Sequence, residues 1–286
     1  MNQSQRNPHN LKALGIIAGN GVYPFAMAKS ARAAGVERIV VTAFHNETNP
    51  ALAELVEELE WMRVGQLGKM INYFKKAGIT AVVMSGQINP KNLFDLRPDI
   101  KALLVLGRLK TRNAESIFGA IGDELAKAGI ELLDATTFMD DYLAQPGLVA
   151  GPKLDKRLEE DIRYGFEIAK EVSRLDIGQT VVVKNGTVLA VEAFEGTNVA
   201  IKRGGELGRK DAIVVKVSKP NQDFRFDVPV VGPITLETAR DAKIRVIAVE
   251  AKRTLLLEKE KIQELATKNG ISIYAAALSG EPLSPS

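Results

Sequence analysis

The sequence predicts an α/β protein with two domains, a parallel-sheet domain followed by a mixed α/β domain, joined by a helical linker. Three observations lead to this prediction. Short apolar runs alternate with helical patterns in the first half, two Pro/Gly pairs interrupt them at residues 145–152, and a hairpin opens the second half. Such alternation is typical of a parallel sheet covered by helices. We assign residues 11–145 to the first domain, 146–174 to the linker and its helix, and 175–279 to the second domain.

The first half alternates strand and helix in a regular order. Predicted strands cover residues 14–18, 38–44, 81–84 and 130–134. Predicted helices cover residues 24–34, 51–60, 69–77, 99–108 and 114–128. The first helix has Pro24 in its first turn and Gly35 after its end, which are the positions that these residues favour at helix termini.

The linker helix and the second half have different patterns. Apolar residues recur at helical spacing with charged residues opposite, which is typical of a helix packed on a core. They are Leu154, Leu158, Ile162, Phe166, Ala169 and Val172. Asn185-Gly186 is a favoured hairpin turn between predicted strands at 180–184 and 187–194. Further strands are predicted at 212–217, 244–249 and 271–275, and helices at 235–241 and 258–268.

The composition excludes several kinds of catalytic site. The chain has no cysteine, which excludes disulfides, thiolate metal sites and cysteine nucleophiles. His9 and His45 are the only histidines, which argues against a multi-histidine zinc centre or a Ser-His-Asp triad. The chemistry must therefore use carboxylates, lysines, hydroxyls, backbone N–H groups or a metal bound by oxygen.

Charge and hydropathy indicate the partners and the compartment. The formal net charge is +3 and no clustered basic block is present, so we expect no nucleic-acid binding. The first ten residues lack the apolar core of a signal peptide, and no apolar run reaches the ~18–20 residues that span a bilayer. We expect a cytoplasmic protein, and contact with a membrane surface stays open.

Two glycine-containing turns of the first half are candidates for phosphate binding. Gly19-Asn20-Gly21 and Ser85-Gly86 each follow a predicted strand, and parallel sheets bind ligands at the carboxyl ends of their strands. The first turn also leads into a helix N-terminus, where unpaired N–H groups favour a phosphate. A turn that only connects strand to helix is the alternative. An NAD fingerprint is weak, because Pro24 replaces its third glycine and no acidic residue stands at 42–44.

Carboxylates and small polar residues converge on the hairpin of the second half. Glu192 and Glu195 lie at the end of its second strand and in the following loop, beside Thr197 and Asn198 and before the basic pair Lys202-Arg203. We interpret this cluster as an anionic-ligand site. A solvated strand face is the alternative.

Two polar turns accompany this cluster, one before the hairpin and one before Asp227. Their candidate residues are Asp176, Gly178, Gln179, Lys219 and Gln222. Asp227 stands between Phe226 and Val228, and a carboxylate among large apolar side chains must be paired with a cation or with hydrogen-bond donors. A capping or ion-paired structural role is the alternative.

Oxygen ligands without histidine or cysteine fit Mg²⁺, with Mn²⁺ as the second choice, and such ions usually serve phosphate chemistry. The residues therefore favour a metal-assisted phosphoryl transferase or hydrolase. In this interpretation, the phosphate-binding turn of the first half faces the carboxylates of the second half across a cleft.

Four stretches make the sequence resemble a known family: IIAGNGVYP, LDIGQ, VEAFEGT and KPNQDFRFDVPVVG. Together they resemble the LpxI-type UDP-2,3-diacylglucosamine pyrophosphatases over residues 14–274. The resemblance implies an N-terminal Rossmann-like domain and a C-terminal domain particular to the family. It also implies Mg²⁺-dependent hydrolysis of UDP-2,3-diacylglucosamine to UMP and lipid X in lipid A biosynthesis, with water attacking the α-phosphate.

The resemblance carries site residues over by position. The catalytic aspartate of the family's R-x-D-L-P motif falls on Asp227, and Val228 replaces the motif's leucine. Asn20 replaces a glycine of the first loop, and we expect it to leave backbone donors available. The family's E-G-T-D ends here in Asn198, which binds a metal or phosphate only through its dipole. The candidate metal ligands are Asp227, Glu192 and Glu195. The candidate substrate-binding residues are Gly19, Asn20, Gly21, Gly86, Asp176, Gly178, Gln179, Thr197, Asn198, Lys219 and Gln222.

The resemblance also implies the partners. Because the substrate is a membrane lipid, we expect transient peripheral contact with the cytoplasmic leaflet of the inner membrane. A homodimer stays open. The alternative from another functional class is a non-catalytic nucleotide-sugar binding protein, in which the carboxylates are structural.

Overall fold

Two large β-sheets, one in each half of the chain, organise the protein. The computed structural model describes Asn7 and residues 9–88, 98–111 and 113–277. Unit 1 holds the chain up to Asp141 together with the segment Asp223–Asp227, and unit 2 holds Tyr142–Gln222 and the chain from Val228 on. The predicted end of the second domain, residue 279, lies outside the described residues.

The sheet of unit 1 is entirely parallel. Its strands are β1 (Ala13–Ala18), β2 (Arg38–Phe44), β3 (Glu58–Met62), β4 (Ala81–Ser85) and β5 (Glu131–Leu132). They lie in the order β3-β2-β1-β4-β5, which is the order of a Rossmann-like sheet. The predicted parallel-sheet fold is therefore confirmed. The strand order reverses between β1 and β4, and such a switch point forms a crevice at the carboxyl edge of the sheet.

Helices cover the sheet of unit 1. They are α1 (Tyr23–Ala33), α2 (Leu67–Lys76), α3 (Ile100–Arg108) and α4 (Ala114–Lys127). Residues of α2, α3 and α4 share a core with one face of the sheet. Met27, Ala28 and Ala31 of α1 are buried, and α1 contacts β1 and β4. As predicted, Pro24 lies in the first turn of α1.

The predicted helix at residues 51–60 is wrong. The chain forms a 3₁₀ helix at Pro50–Leu55 and then the edge strand β3. The stretch is rich in good helix formers, but β3 pairs in parallel with β2, and Glu58 accepts a hydrogen bond from Nε of Arg38 at 2.9 Å. Tertiary pairing overrides local helix propensity here.

Unit 2 is the mixed α/β domain that the sequence predicts, and its sheet contains both parallel and antiparallel strands. Its strands are β6 (Gly147–Ala150), β7 (Thr180–Lys184), β8 (Thr187–Val191), β9 (Ala212–Lys216), β11 (Ile244–Glu250) and β13 (Ser272–Ala276). In the order β6-β13-β11-β9-β7-β8, the three central strands are parallel and the outer pairs are antiparallel. Two short strands, β10 (Val230–Val231) and β12 (Leu255–Leu256), pair separately. The predicted Asn-Gly hairpin is confirmed as β7–β8.

Helices cover both faces of this sheet. They are α5 (Lys156–Arg174), α6 (Thr197–Gly208), α7 (Pro233–Asp241) and α8 (Lys259–Asn269). Leu158, Ile162 and Ala169 of α5 pack on one face, as their spacing predicts, whereas α6, α7 and α8 pack on the other. The segment predicted as a linker supplies β6 and α5, which the structure places within unit 2. No helix of the described ranges is both long and apolar enough to cross a membrane.

Helix α6 is absent from the predicted elements, because its glycines are typical of loops. A Cβ atom on Gly204 would lie 2.5 Å from Cβ of Val182 in β7, and one on Gly205 would overlap Ala242 at the end of α7. These glycines let the helix approach β7 and α7 closely. Gly204 and Gly205 are therefore needed for the packing of α6, although glycines in a sequence argue against a helix.

Replacing Gly204 by alanine should destabilise unit 2, because overpacking of this kind costs about 1–3 kcal/mol. The matched control is Gly119→Ala in α4, where a new methyl group would meet nothing within 4 Å. That control should instead stabilise the protein by about 0.5–1 kcal/mol. Chemical denaturation measures both changes in the free energy of unfolding, and equal midpoints for the two variants would contradict the close-packing explanation.

Candidate functional site

The two glycine-containing turns of unit 1 pair with each other at the switch point. The amide of Gly19 donates to the Ser85 carbonyl at 2.8 Å, and the amide of Asn20 donates to the Gln87 carbonyl at 2.7 Å. A Cβ atom on Gly86, which has a φ of +88°, would lie 2.5 Å from the Asn20 carbonyl oxygen. Glycine is needed there for close approach of the two backbones. The amides of Gly19 and Asn20 are therefore engaged within unit 1.

Gly21 differs from the two residues before it. It has a φ of +89°, is exposed, and a Cβ atom built on it would meet nothing within 4 Å. It directly precedes α1, whose N-cap residue Val22 makes no side-chain capping hydrogen bond. The N-terminus of α1 therefore offers backbone donors beside open space, and an anion is favoured at such a position.

A buried carboxylate lies beside this loop. The side-chain amide of Asn20 donates to Glu47 Oε2 at 2.8 Å, and Glu47 is buried. A dinucleotide fingerprint requires an acidic residue at the end of the second strand, at 42–44, and Glu47 follows three residues later. It is therefore a candidate site residue that the sequence analysis missed, and its place after β2 is the signal that could have identified it.

The segment Asp223–Asp227 is fastened to the carboxyl edge of the sheet in unit 1. The amide of Ala135, just beyond β5, donates to the Phe224 carbonyl at 2.8 Å. The buried hydroxyl of Tyr23, at the start of α1, donates to the Ala135 carbonyl, and burial raises the pKa of Tyr23. The ring of Phe226 lies 5.6 Å from that of Phe118. These contacts link the candidate catalytic segment to the helix that follows the glycine loop.

An arginine–carboxylate pair stiffens the same segment. Arg225 donates from Nε to Asp223 Oδ1 at 2.9 Å and from Nη2 to Asp223 Oδ2 at 2.6 Å. Hydrogen bonding to Arg225 lowers the pKa of Asp223, and the reciprocal hydrogen bond raises the pKa of Arg225. The amide of Asp227 donates to the Asp223 carbonyl at 3.0 Å, which closes a tight turn. The arginine of the R-x-D motif therefore holds the turn that presents Asp227.

Most of the other candidate residues meet at one edge of the sheet in unit 2. This edge contains the end of β9, the start of β7 and the end of β8, with Thr180 in register with Lys216. The amide of Glu192 donates to the Thr180 carbonyl at 2.8 Å. A side chain on Gly178 would overlap the Glu192 carbonyl, so the predicted turn at Asp176–Gln179 lies directly against Glu192.

A hydrogen-bonded chain crosses this edge. Lys216 Nζ donates to Thr197 Oγ1 at 2.9 Å, and the Thr197 hydroxyl donates to Glu192 Oε1 at 2.8 Å. Within the described residues, the second carboxylate oxygen of Glu192 is buried without a hydrogen-bond partner. Asn198 lies in the first turn of α6, directly after Thr197. Lys216 is a cation of this site that the sequence analysis missed, because it ends an otherwise apolar strand.

The two other predicted turns are held by ion pairs. Glu195 accepts from Arg203 Nη2 at 2.6 Å and from the Ala193 amide at 3.0 Å. A hydrogen bond from its own backbone amide, followed by that from Arg203, lowers the pKa of Glu195. Lys219 pairs with Asp176, and its backbone amide donates to Gln222 Oε1 at 2.6 Å.

The buried residue Glu250 holds the backbone at Ser218, directly before the turn that contains Lys219. Glu250 is 1% exposed, pairs with Lys170, and accepts from the Ser218 amide at 2.7 Å and from the Ser218 hydroxyl at 2.5 Å. Arg253 Nε donates to the Ser218 hydroxyl at 2.8 Å. This network fixes the backbone directly before Lys219. This network is not evident from the sequence, because Glu250 ends an apolar strand that is otherwise typical of core.

The structure distributes the predicted site residues over the two units. Unit 1 contains Gly19, Asn20, Gly21, Gly86 and Asp227. Unit 2 contains Asp176, Gly178, Gln179, Glu192, Glu195, Thr197, Asn198, Lys219 and Gln222. Each group gathers at one edge of its own sheet, and the edge in unit 1 is the carboxyl edge of parallel strands.

The carboxylates fit a metal ion that is shared with substrate phosphates better than one held by protein ligands alone. Among the described residues, no group of three or more acidic or histidine side chains is arranged to hold a metal. Glu195 is engaged by Arg203, whereas Glu192 has a carboxylate oxygen without a hydrogen-bond partner within the described residues. Mg²⁺ is commonly held by one or two carboxylates together with substrate phosphates. The donor set therefore fits an ion that arrives with its substrate.

Comparisons with known proteins cover almost the whole chain. A model described as the LpxI N-terminal domain matches residues 13–142, and one described as the LpxI C-terminal domain matches residues 145–274. The UDP-2,3-diacylglucosamine pyrophosphatase LpxI of Caulobacter vibrioides is 29% identical over 274 residues, which is 92% of this chain and 97% of that protein.

Solved structures show only distant similarity. The biotin carboxylase domain of Hydrogenobacter thermophilus 2-oxoglutarate carboxylase is 10% identical over 62% of this chain, with a TM-score of 0.27. The biotin carboxylase subunit of pyruvate carboxylase is 14% identical over 64% of this chain, with a TM-score of 0.26. The matched part is 35% of each of those chains. Similarity this low supports no inference about fold or function.

Replacing Arg225 by lysine should loosen the Asp223–Asp227 turn, because lysine keeps the charge but loses the two-pronged hydrogen bond. We expect the Ala135 amide, which donates to Phe224, to exchange with solvent hydrogen about tenfold faster. Because the pKa of Asp223 is lowered, the wild-type turn should stay fastened at neutral pH and loosen only as the pH falls below the ordinary value of 3.8.

Hydrogen-exchange mass spectrometry of the peptide around Ala135 measures this effect. The matched control is Arg203→Lys, which weakens the Arg203–Glu195 pair of unit 2 and should leave exchange at Ala135 unchanged. Equal exchange at Ala135 in wild type and Arg225→Lys would show that Arg225 does not fasten the turn.

Proposed function

The chain belongs to the LpxI family, and on that premise we propose that it hydrolyses the pyrophosphate bond of UDP-2,3-diacylglucosamine in lipid A biosynthesis. The named activity of the Caulobacter vibrioides relative supports this substrate. We propose further that the reaction requires Mg²⁺ and that its products are UMP and the 1-phosphorylated diacyl sugar, lipid X.

The observation that carries the proposal is the fastening of Asp227 to the carboxyl edge of the parallel sheet. Its segment is tied to Ala135, which follows β5, and through Ala135 to Tyr23 at the start of α1. Ligands of such sheets bind at this edge, next to the switch point between β1 and β4. A carboxylate held there is suited to act on a phosphate bound near the N-terminus of α1.

We propose that the nucleophile of the reaction is water. The water oxygen attacks the α-phosphorus, the bond from that phosphorus to the bridging oxygen breaks, and the phosphorylated sugar leaves with the bridging oxygen. Asp227 either accepts the proton of the attacking water or holds the ion that activates it.

Charge on the pyrophosphate requires cations and donors. Lys216, oriented by Thr197, and Lys219, positioned by Gln222, are the lysines that we propose to bind phosphate oxygens. When bound, Mg²⁺ would neutralise developing negative charge and lower the pKa of coordinated water. Asp227 of unit 1 is the carboxylate that would hold it together with substrate oxygens, and Glu192 of unit 2 is an alternative ligand.

The proposed substrate also implies that the protein contacts a membrane. Two acyl chains keep UDP-2,3-diacylglucosamine in a membrane, so the protein must reach it there. We therefore propose transient contact with the cytoplasmic leaflet of the inner membrane.

An activity assay tests the proposed function directly. Purified protein incubated with UDP-2,3-diacylglucosamine in detergent micelles and Mg²⁺ should release UMP and lipid X, which mass spectrometry detects. EDTA should abolish the release, and added Mg²⁺ or Mn²⁺ should restore it. Binding of the substrate without release of UMP would refute hydrolysis and support a nucleotide-sugar binding protein instead.

The substitution Asp227→Asn should lower kcat by about 10²–10⁴-fold, the usual contribution of a positioned acid or base. If Asp227 holds the ion, the variant should need more Mg²⁺ for half-maximal rate; if it only accepts the proton, that requirement should not change. The matched control is Asp211→Asn, which lies in unit 2 before β9, at the end of that strand opposite to Lys216, and has a φ of +58°, where asparagine is tolerated. Near-normal turnover in Asp227→Asn would remove Asp227 from the mechanism.

A further inference from the structure

Helix α3 exposes large apolar side chains to solvent. Ile100 is 79% exposed, and Leu103 and Leu104 are each 56% exposed. Their spacing of three and four residues puts them on one side of the helix. We call these three residues the outer face of α3. Single exposed apolar residues are common on protein surfaces, but neighbouring ones on one helix mark an interaction surface.

The outer face does not belong to the core of unit 1. The opposite side of α3 carries Ala102 and Val105, which are buried and pack in the same core as residues of α2. The helix therefore already has a core-facing side. Its second apolar side is exposed and lies outside the core cluster formed by the described residues of unit 1, so it can meet a partner.

The helix is firmly fixed to unit 1 while its outer face is exposed. Asp99 caps it by accepting from the Ala102 amide at 2.9 Å, and the same carboxylate accepts from the Gly68 amide in α2 at 2.6 Å. Lys101 pairs at 2.8 Å with Glu124 of α4, and Lys101 and Lys127 together lower the pKa of Glu124 to about 2. The outer face can therefore meet a partner without unfolding of α3.

The charge around the outer face selects the kind of partner. Helix α3 has no acidic residue, and its last turn carries Arg108, followed by Lys110. Both of these cations are exposed. Exposed apolar residues flanked by cations are typical of helices that lie in the interface of an anionic membrane.

We propose that the outer face of α3 docks the protein on a bilayer that contains anionic phospholipids. The apolar side chains enter the interface, and Arg108 and Lys110 contact the lipid headgroups. This inference rests on the proposed function, because only a lipid substrate requires the protein to meet a membrane. It assigns that contact to particular residues of unit 1.

Vesicle binding tests the docking surface. Vesicles of phosphatidylethanolamine and phosphatidylglycerol should sediment the wild-type protein, and vesicles of phosphatidylcholine alone should sediment much less of it. The variant Leu103→Gln/Leu104→Gln should bind the anionic vesicles about tenfold more weakly or worse, because the membrane interface no longer gains the burial of two leucine side chains. The variant Arg108→Gln/Lys110→Gln should lose the preference for anionic vesicles.

Leu207→Gln is the matched control, because Leu207 of α6 is 62% exposed and lies one helical turn after the basic Arg203. It should bind the vesicles like wild type. All variants should unfold at the wild-type temperature, since the replaced side chains are exposed. Equal vesicle binding by Leu103→Gln/Leu104→Gln and wild type would overturn the docking proposal.

The assay in detergent separates this proposal from the proposed function. If wild type hydrolyses the substrate in micelles, and the α3 variant does so equally well but slowly on vesicles, docking is supported. If the α3 variant loses activity in micelles as well, the outer face binds substrate rather than a bilayer, and docking is overturned. Absence of hydrolysis by wild type would refute the proposed function, whereas the vesicle sedimentation would still decide the docking proposal.

Discussion

The hydrogen bond from Ala135 to Phe224 is the interaction on which the candidate active site depends. It ties a five-residue segment from late in the chain to the carboxyl edge of the parallel sheet, and Tyr23 and Phe118 support the same junction. The Arg225–Asp223 pair then fixes the shape of the turn. Each bond contributes little alone, about 1 kcal/mol for a neutral hydrogen bond and more for a charge-assisted pair. Together they hold the backbone of Asp227 at an edge where phosphates are favoured.

The edge of the unit 2 sheet where the candidate residues meet is organised by hydrogen bonds between side chains. Its cations and carboxylates are oriented by one another through hydroxyl groups, as in the chain from Lys216 through Thr197 to Glu192. Below it, Glu250 is almost completely buried and is compensated by Lys170 and Ser218. A carboxylate as buried as Glu250 is destabilising without its partners, so Lys170 and Ser218 are needed to stabilise it. It gives the loop that carries Lys219 a rigid base.

Much of the fold could be predicted from the sequence, because periodicity reports burial directly. The alternation of strands with helices predicts the parallel sheet of unit 1, and Asn185-Gly186 predicts the β7–β8 hairpin. The failures have physical causes. Residues 51–60 have high helix propensity, yet pairing with β2 makes part of them a strand. Gly204 and Gly205 are typical of a loop, but they serve close packing of a helix. The site was predicted only in part, because Asn20 contacts Glu47 and Lys216 contacts Thr197, and contacts between residues distant in sequence cannot be read from local patterns.

The placement of Asp223–Asp227 in unit 1 also has a consequence for biogenesis. During synthesis, the five strands of unit 1 leave the ribosome by residue 132, but the segment that completes the unit follows about ninety residues later. Until then, the Ala135 amide and the ring of Phe118 lack their native partners in this segment. The nascent first unit therefore matures only after most of the second has been translated. A chain truncated directly after the parallel sheet would therefore lack the aspartate proposed for catalysis.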